Sequence, residues 1–154
     1  MKDHLALLLN HEFWANERII HTMRSLDVNP PKAIELFDHI LGSHDNWLAR
    51  IKHEQPHLSI RDNHANDFDY VFQAKHYFLQ WMEMIETHDP MALTVSYQNS
   101  RGESFSNTLY EIVVHICLHS QYHRGQIVSA IRPQISSVPS TDMIAYMRAL
   151  KKVI

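Results

Sequence analysis

The prolines of this chain fall between stretches of helical periodicity, and that arrangement constrains the fold more tightly than any other feature of the sequence. Leu5, Leu8, Leu9, Phe13, Ile19, Ile20 and Met23 recur at helical spacing over roughly 3–25, interrupted by polar Glu12 and Asn16. Pro30 and Pro31 cannot continue a helix and end this one. A second helix starts after them and runs to about His53, closed by Pro56. The polar stretch HLSIRDNHAND reads as a loop. A third helix follows over roughly 68–87, with Phe68, Val71, Phe72, Phe78, Trp81, Met82 and Ile85 as its apolar set, and stops at THDP. LTVSYQNSRGESFS differs: Val95 and Tyr97 alternate with polar residues, NSRG follows, then Ser104, Phe105 and Ser106, which predicts a short hairpin. Thr108 and Glu111 have capping-box spacing, so a fourth helix starts there and runs to about Arg132, before Pro133. After the loop QISSVPS, TDMIAYMRALKK predicts a short fifth helix, with Asp142 in its first turn and Lys151 and Lys152 in its last, as the helix dipole favours. The expected fold is all-α: a four-helix bundle with a short β-hairpin before helix 4 and a short C-terminal helix. No repeat or linker divides the chain, and 154 residues fit one domain, 1–154.

Composition narrows the function. Hydrophobic residues make up 45% and charged residues 20%, and glycine is scarce at 3, which suits a globular helical protein. The net charge is −3 and the 14 Lys and Arg are scattered, so nucleic acid is not an expected partner. One cysteine, Cys117, rules out an intramolecular disulfide and a Cys-based zinc site, and fits a reducing, cytoplasmic setting. MKDHLALLLNHEFW has only a short apolar run, cut by Asn10, His11 and Glu12, and reads as neither signal peptide nor membrane span.

Histidine is plentiful at 13 residues. In HICLHSQYHRGQI, His115, His119 and His123 repeat every four residues. On a helical wheel at about 100° per residue, Ile112, His115, Ile116, His119, His123, Ile127 and Ala130 share one arc, which places the histidines on the core-facing stripe. A buried imidazole without a partner costs free energy. Bound metal would satisfy it, and a backbone carbonyl, Tyr hydroxyl or water is the plainer alternative. The i, i+4 spacing lets two such rings reach one ion, but a third ligand must come from another helix. LFDHILGSHDNWLARI in helix 2 offers His39 and His44, about 140° apart on the wheel. Against Ile34, Phe37, Leu41 and Leu48, His44 lies nearer the centre of the buried face, and His39 lies at its edge beside Ser43. Periodicity alone selects His44.

The zinc-peptidase motif needs Glu directly after its first histidine, where HSQYH has Ser120. Di-iron bundles need paired Glu-x-x-His motifs, and the one here, Glu54 to His57, contains Pro56. Gly-rich phosphate loops are absent, and Ser-His-Asp and Cys-His arrangements stay open. Cys117 and His119 lie about 160° apart on the wheel and are not expected to partner each other.

HSQYHRGQI resembles the His-x-x-x-His-Arg-Gly-Gln signature of the DinB-like (damage-inducible) proteins. LFDHILGSHDNWLARI resembles that family's second helix, NHEFWANERI its first and VPSTDMIAYMRAL its last, and the hairpin with Gly102 falls where the family has one. The resemblance spans nearly the whole chain. It implies an up-down-down-up bundle, commonly a homodimer, and a divalent metal held by one histidine of helix 2 and two of helix 4. By position these are His39, His119 and His123. The resemblance thus favours His39 over His44, and we follow it, because a site near one end of a bundle can use a residue at the edge of the face; His44 is the reserve. His115 is expected to support or pack against the site. Arg124 is expected to point outward or to a dimer partner, Gly125 to permit close packing or simply be tolerated, and Gln126 to orient a ligand histidine by a hydrogen bond. Trp14, Trp47 and Trp81 read as core.

Three neutral histidines on one divalent ion, zinc or nickel first, manganese or iron next, leave a coordination position for water or a thiol. Relatives in the superfamily that this sequence resembles include transferases and isomerases that use low-molecular-weight thiols. The expectation is therefore a metal-dependent thiol S-transferase acting on a small-molecule substrate. The alternatives are a metal-dependent hydrolase and a non-catalytic metal-binding or dimerisation module.

Overall fold

A computed structural model describes residues 1–56, 67–99 and 101–151, with the side chains of the third helix described from Tyr70 onward. The expected loop HLSIRDNHAND lies outside the described residues except for Asp67, as do Ser100 of the hairpin turn, Phe68's side chain and Lys152. The elements are α1 (Lys2–Arg24), α2 (Pro31–Lys52), α3 (Asp67–Thr87), β1 (Thr94–Gln98), β2 (Ser104–Thr108), α4 (Leu109–Ile131) and α5 (Met143–Lys151), with one 3-10 turn, Arg132–Gln134, after α4. No described helix is long and apolar enough to cross a membrane.

Six contacts, two for each of three helix pairs, give the direction of every long helix. Phe13 stacks on Phe78 and Lys2 reaches the carbonyl of Glu86, so α1 and α3 run antiparallel. Phe37 meets Tyr70 while His44 meets Trp81, so α2 and α3 run parallel. His39 meets His123 while Trp47 meets His115, so α2 and α4 run antiparallel. The result is the up-down-down-up bundle that the resemblance implies. Around the bundle the order is α1, α3, α2, α4.

The helix ends correct the proline reading. α1 closes at Arg24, ahead of Pro30, and the prolines instead open α2, with Pro30 as its N-cap and Pro31 as its first residue. That suits proline, whose missing N–H is no loss in a first helical turn. α2 ends at Lys52 because His53 adopts a left-handed conformation (φ 57°), before Pro56 is reached. Asp142 stands just before α5 rather than in its first turn, and its Oδ1 accepts from the Ala145 N–H at 2.8 Å as a cap. The Thr108–Glu111 capping box forms as expected. In the hairpin, Val95 pairs with Asn107 and Tyr97 with Phe105. Asn99 Oδ1 accepts from the N–H groups of Arg101 and Glu103, and Gly102 supplies the positive φ of +80° that the turn needs.

The core fills the space between the helices with Leu5, Leu9, Ile19, Phe37, Ile40, Trp81, Ile112 and Ile116, among others. On α3 the inward row is Ala74, Tyr77, Trp81, Met84 and Ile85, while Phe72, expected inside, is exposed and stacks on His76. Of the three tryptophans only Trp81 is fully buried. Trp14 is half-buried against Tyr146 of α5, and Trp47 is half-buried beside His115. α5 is strapped across α1, where His11 Nε2 bonds the Thr141 carbonyl and Arg18 Nε donates to the Ser140 carbonyl, both at 2.8 Å.

Candidate metal centre

The buried row of α4 is Leu109, Ile112, Val113, Ile116, Cys117, Ser120, Arg124, Ile127 and Ile131. The histidines lie one position to the side of it: His115 is exposed, and His119 and His123 are half-buried. This corrects the expectation that they occupy the core-facing stripe. The wheel was misaligned because the true row contains two polar residues, Ser120 and Arg124, which periodicity reads as outward.

Arg124 is the larger correction, because its side chain is completely buried. Its guanidinium pairs with the Glu12 carboxylate, donates to Asn16 Oδ1 at 2.8 Å and donates to Gln121 Oε1 at 2.9 Å. Glu12 also accepts from Asn16 Nδ2 at 2.8 Å. The two polar residues that interrupt the apolar row of α1 are therefore the partners of a charge brought in by α4. Burial alone would raise the Glu12 carboxyl, but the Arg124 guanidinium and a hydrogen bond from His44 outweigh it and hold it at about 2. His44 belongs to this interior. Its Nδ1 accepts from the Trp81 indole N–H at 3.0 Å, and its Nε2 lies 3.4 Å from both Glu12 Oε1 and Ser120 Oγ. Both ring nitrogens are thus engaged in the core.

His39 faces α4 from the edge of α2. Its Nε2 lies 3.0 Å from His119 Nε2, and its ring centroid lies 4.7 Å from that of His123. His119 and His123 sit 4.4 Å apart, one turn from each other. One ligand atom from each of the three lies within 4.8 Å of the others. Tetrahedral zinc with bonds of about 2.0–2.1 Å sets its nitrogens roughly 3.3 Å apart, so the three rings need only a small closing movement to share an ion. His123 Nδ1 donates to Gln126 Oε1 at 2.8 Å, which leaves its Nε2 lone pair free. Ser43 donates to the His39 carbonyl at 2.9 Å and lies 3.2 Å from His119 Nε2. Partial burial, joined by the neighbouring imidazoles of His123 and His39, pushes His119 down to about 4. Burial and His123 also lower His39. Near neutral pH these two rings are therefore neutral, each with one N–H and one lone pair, and the neutral ring is the form a metal requires.

The three histidines are thus positioned to bind a metal ion, and the donor set fits one. A scan against protein-family models matches the DinB family over residues 1–152. The chain belongs to the DinB family. No curated protein and no solved structure matched it.

Of the remaining residues singled out in this DinB-family chain, His115 stacks on His119 with ring centroids 5.5 Å apart and also touches Trp47. Nothing lies within 4 Å of where a Cβ on Gly125 would stand, so that glycine is tolerated rather than required for packing. Cys117 is buried, and burial pushes its thiol well up, away from reactivity. Periodicity pointed to His44 and passed over Glu12, Asn16 and Ser43. The available signal was the pair Glu12 and Asn16, spaced by one turn in an otherwise apolar row.

Proposed function

We propose that this DinB-family protein is a metal-dependent enzyme that transfers a small thiol to an electrophilic carbon. His39, His119 and His123 would hold the ion, zinc or nickel first. The observation that carries the reading is a set of three converging imidazoles whose rings remain partly open to solvent. A structural zinc site is normally closed by four protein ligands, whereas a catalytic one keeps a position for a reactant.

A divalent ion bound there would supply Lewis acidity, lowering the pKa of a thiol or water beside it. The chain's own residues supply the rest. Gln126 fixes the His123 tautomer, and Ser43, whose hydroxyl donates to the His39 carbonyl, lies beside the ring of His119. The lowered pKa values of His39 and His119 favour the neutral rings that an ion needs as ligands. In the transfer, a C–S bond forms, the bond from carbon to its leaving group breaks with the electron pair going to that group, and the thiol proton goes to solvent.

The test is elemental analysis of untagged protein purified without chelator or metal column, beside a His119→Ala, His123→Ala variant. The expected result is about one metal ion per chain, lost in the variant, followed by thiol conjugation across a panel of thiols and electrophiles. Turnover without added thiol would replace this reading with a metal-dependent hydrolase. Native protein that takes up neither zinc nor nickel would leave a non-catalytic module.

A further inference from the structure

His39, Ser43, Trp47 and Arg50 follow one another at spacings of four, four and three along α2, so they line one face. Across from them α4 presents His123, His119 and His115 in the opposite direction. The rungs are His39 to His123 at 4.7 Å, Ser43 to His119 at 3.2 Å and Trp47 to His115 at 6.0 Å. The histidine cluster is therefore one end of a longer strip, and Arg50 stands at the other.

Arg50 is held in an unusual way. Its guanidinium lies 4.8 Å from the centroid of Trp47 and 5.0 Å from that of Tyr97, and those two rings meet edge to face at 5.0 Å. Tyr97 is fixed in turn, since its hydroxyl donates to Asn107 Oδ1 at 2.8 Å across the hairpin. Among the described residues no carboxylate forms an ion pair with Arg50 and no acceptor takes a hydrogen bond from it. The rings satisfy the faces of the guanidinium and order it, while its N–H edge has no protein partner. An ordered, planar, unpaired guanidinium matches a carboxylate, which it can hold through two parallel hydrogen bonds.

We propose that Arg50, braced by Trp47 and Tyr97, is the anchoring subsite for a carboxylate on a small molecule whose other end reaches the histidine cluster. Ser43, level with His119, and Arg50 are separated by seven residues of helix, roughly 10 Å at about 1.5 Å per residue. The ligand class is thus an acid-bearing compound with its metal-seeking group about 10 Å from the carboxylate. This rests on the thiol reading only for the identity of that second group.

The probes are mercaptooctanoic acid and mercaptooctanol, two thiols of equal length that span about 10 Å when extended and differ in the terminal group. Each is titrated into cobalt-loaded full-length protein, wild type and Arg50→Met, with calorimetry reading affinity and the cobalt absorption bands reading contact with the metal. The acid is expected to bind wild type at least tenfold more tightly than the alcohol, and Arg50→Met to erase that preference while leaving the alcohol's affinity unchanged. Equal affinity of acid and alcohol for wild type, a preference that survives Arg50→Met, or no binding of either would overturn the subsite. Arg50-dependent binding of the acid with unchanged cobalt bands would keep the subsite and overturn the thiol reading instead.

Discussion

Arg124 neighbours a candidate metal ligand in sequence and turns away from it in space. His123 faces the cluster while the guanidinium beside it crosses to Glu12 and Asn16 on α1. A buried ion pair therefore joins the apolar row in orienting the helix that carries the candidate ligands. Breaking such a pair by removing one partner leaves an uncompensated charge, so Glu12→Gln should destabilise the protein by about 3–5 kcal/mol in urea unfolding. Acid should act on the same contact. The Glu12 carboxyl falls from 4.5 to about 2 on folding, so its stabilising contribution is complete above about 4.5 and is lost as pH falls through about 2. Glu12→Gln should flatten that part of the stability profile. Gln126 is a different kind of residue, acting through the proton on His123 Nδ1. Gln126→Leu should weaken zinc binding about 10–100-fold in a chelator competition while leaving the melting curve nearly unchanged. At this scale the sequence was readable where one side chain answers to one neighbour, as with Gln126. It was unreadable where a residue's burial depends on a partner more than a hundred positions away, as with Arg124.

Elements were readable from local chemistry alone. The extents of the helices and the hairpin follow from apolar spacing, the Thr108–Glu111 box and the Asn99–Gly102 turn. The positions at which α1 and α2 end were readable too, but their cause was not, because proline was credited with stopping helices that had already ended by other means. At the end of α2, His53 holds a left-handed conformation that glycine adopts without a Cβ penalty. His53→Gly should therefore raise stability by roughly 0.5–1 kcal/mol, measured by thermal or chemical unfolding. A loss of stability would mean that the imidazole makes a compensating contact.

The whole molecule assembles its candidate centre on a core that does not include it. Ile112, Ile116, Ile127 and Ile131 pack inward while His115, His119 and His123 stand to one side. Metal removal should accordingly leave a cooperative melt and full helicity. An ion at about a hundred times its Kd would add roughly 2.7 kcal/mol, or about 5–10 °C in Tm for a chain of this length. Collapse of the chelated protein to an unfolded state would instead mark the ion as structural. The up-down-down-up directions of the helices could not come from periodicity, since each helix reports only that it has an inward face. They came from the family resemblance, and the cross-helix contacts bear them out.

The separation of the partners along the chain also sets a timetable for synthesis. His39 and His119 are 80 positions apart, and Glu12 and Arg124 are 112 apart. At about 5–20 residues per second, α2 waits roughly 4–16 s for its opposite ligands to leave the ribosome. Throughout that interval Glu12 lacks Arg124. The nascent chain can neither close its interior nor bring all three histidines together, so an ion held by the full set would be loaded only after α4 is made.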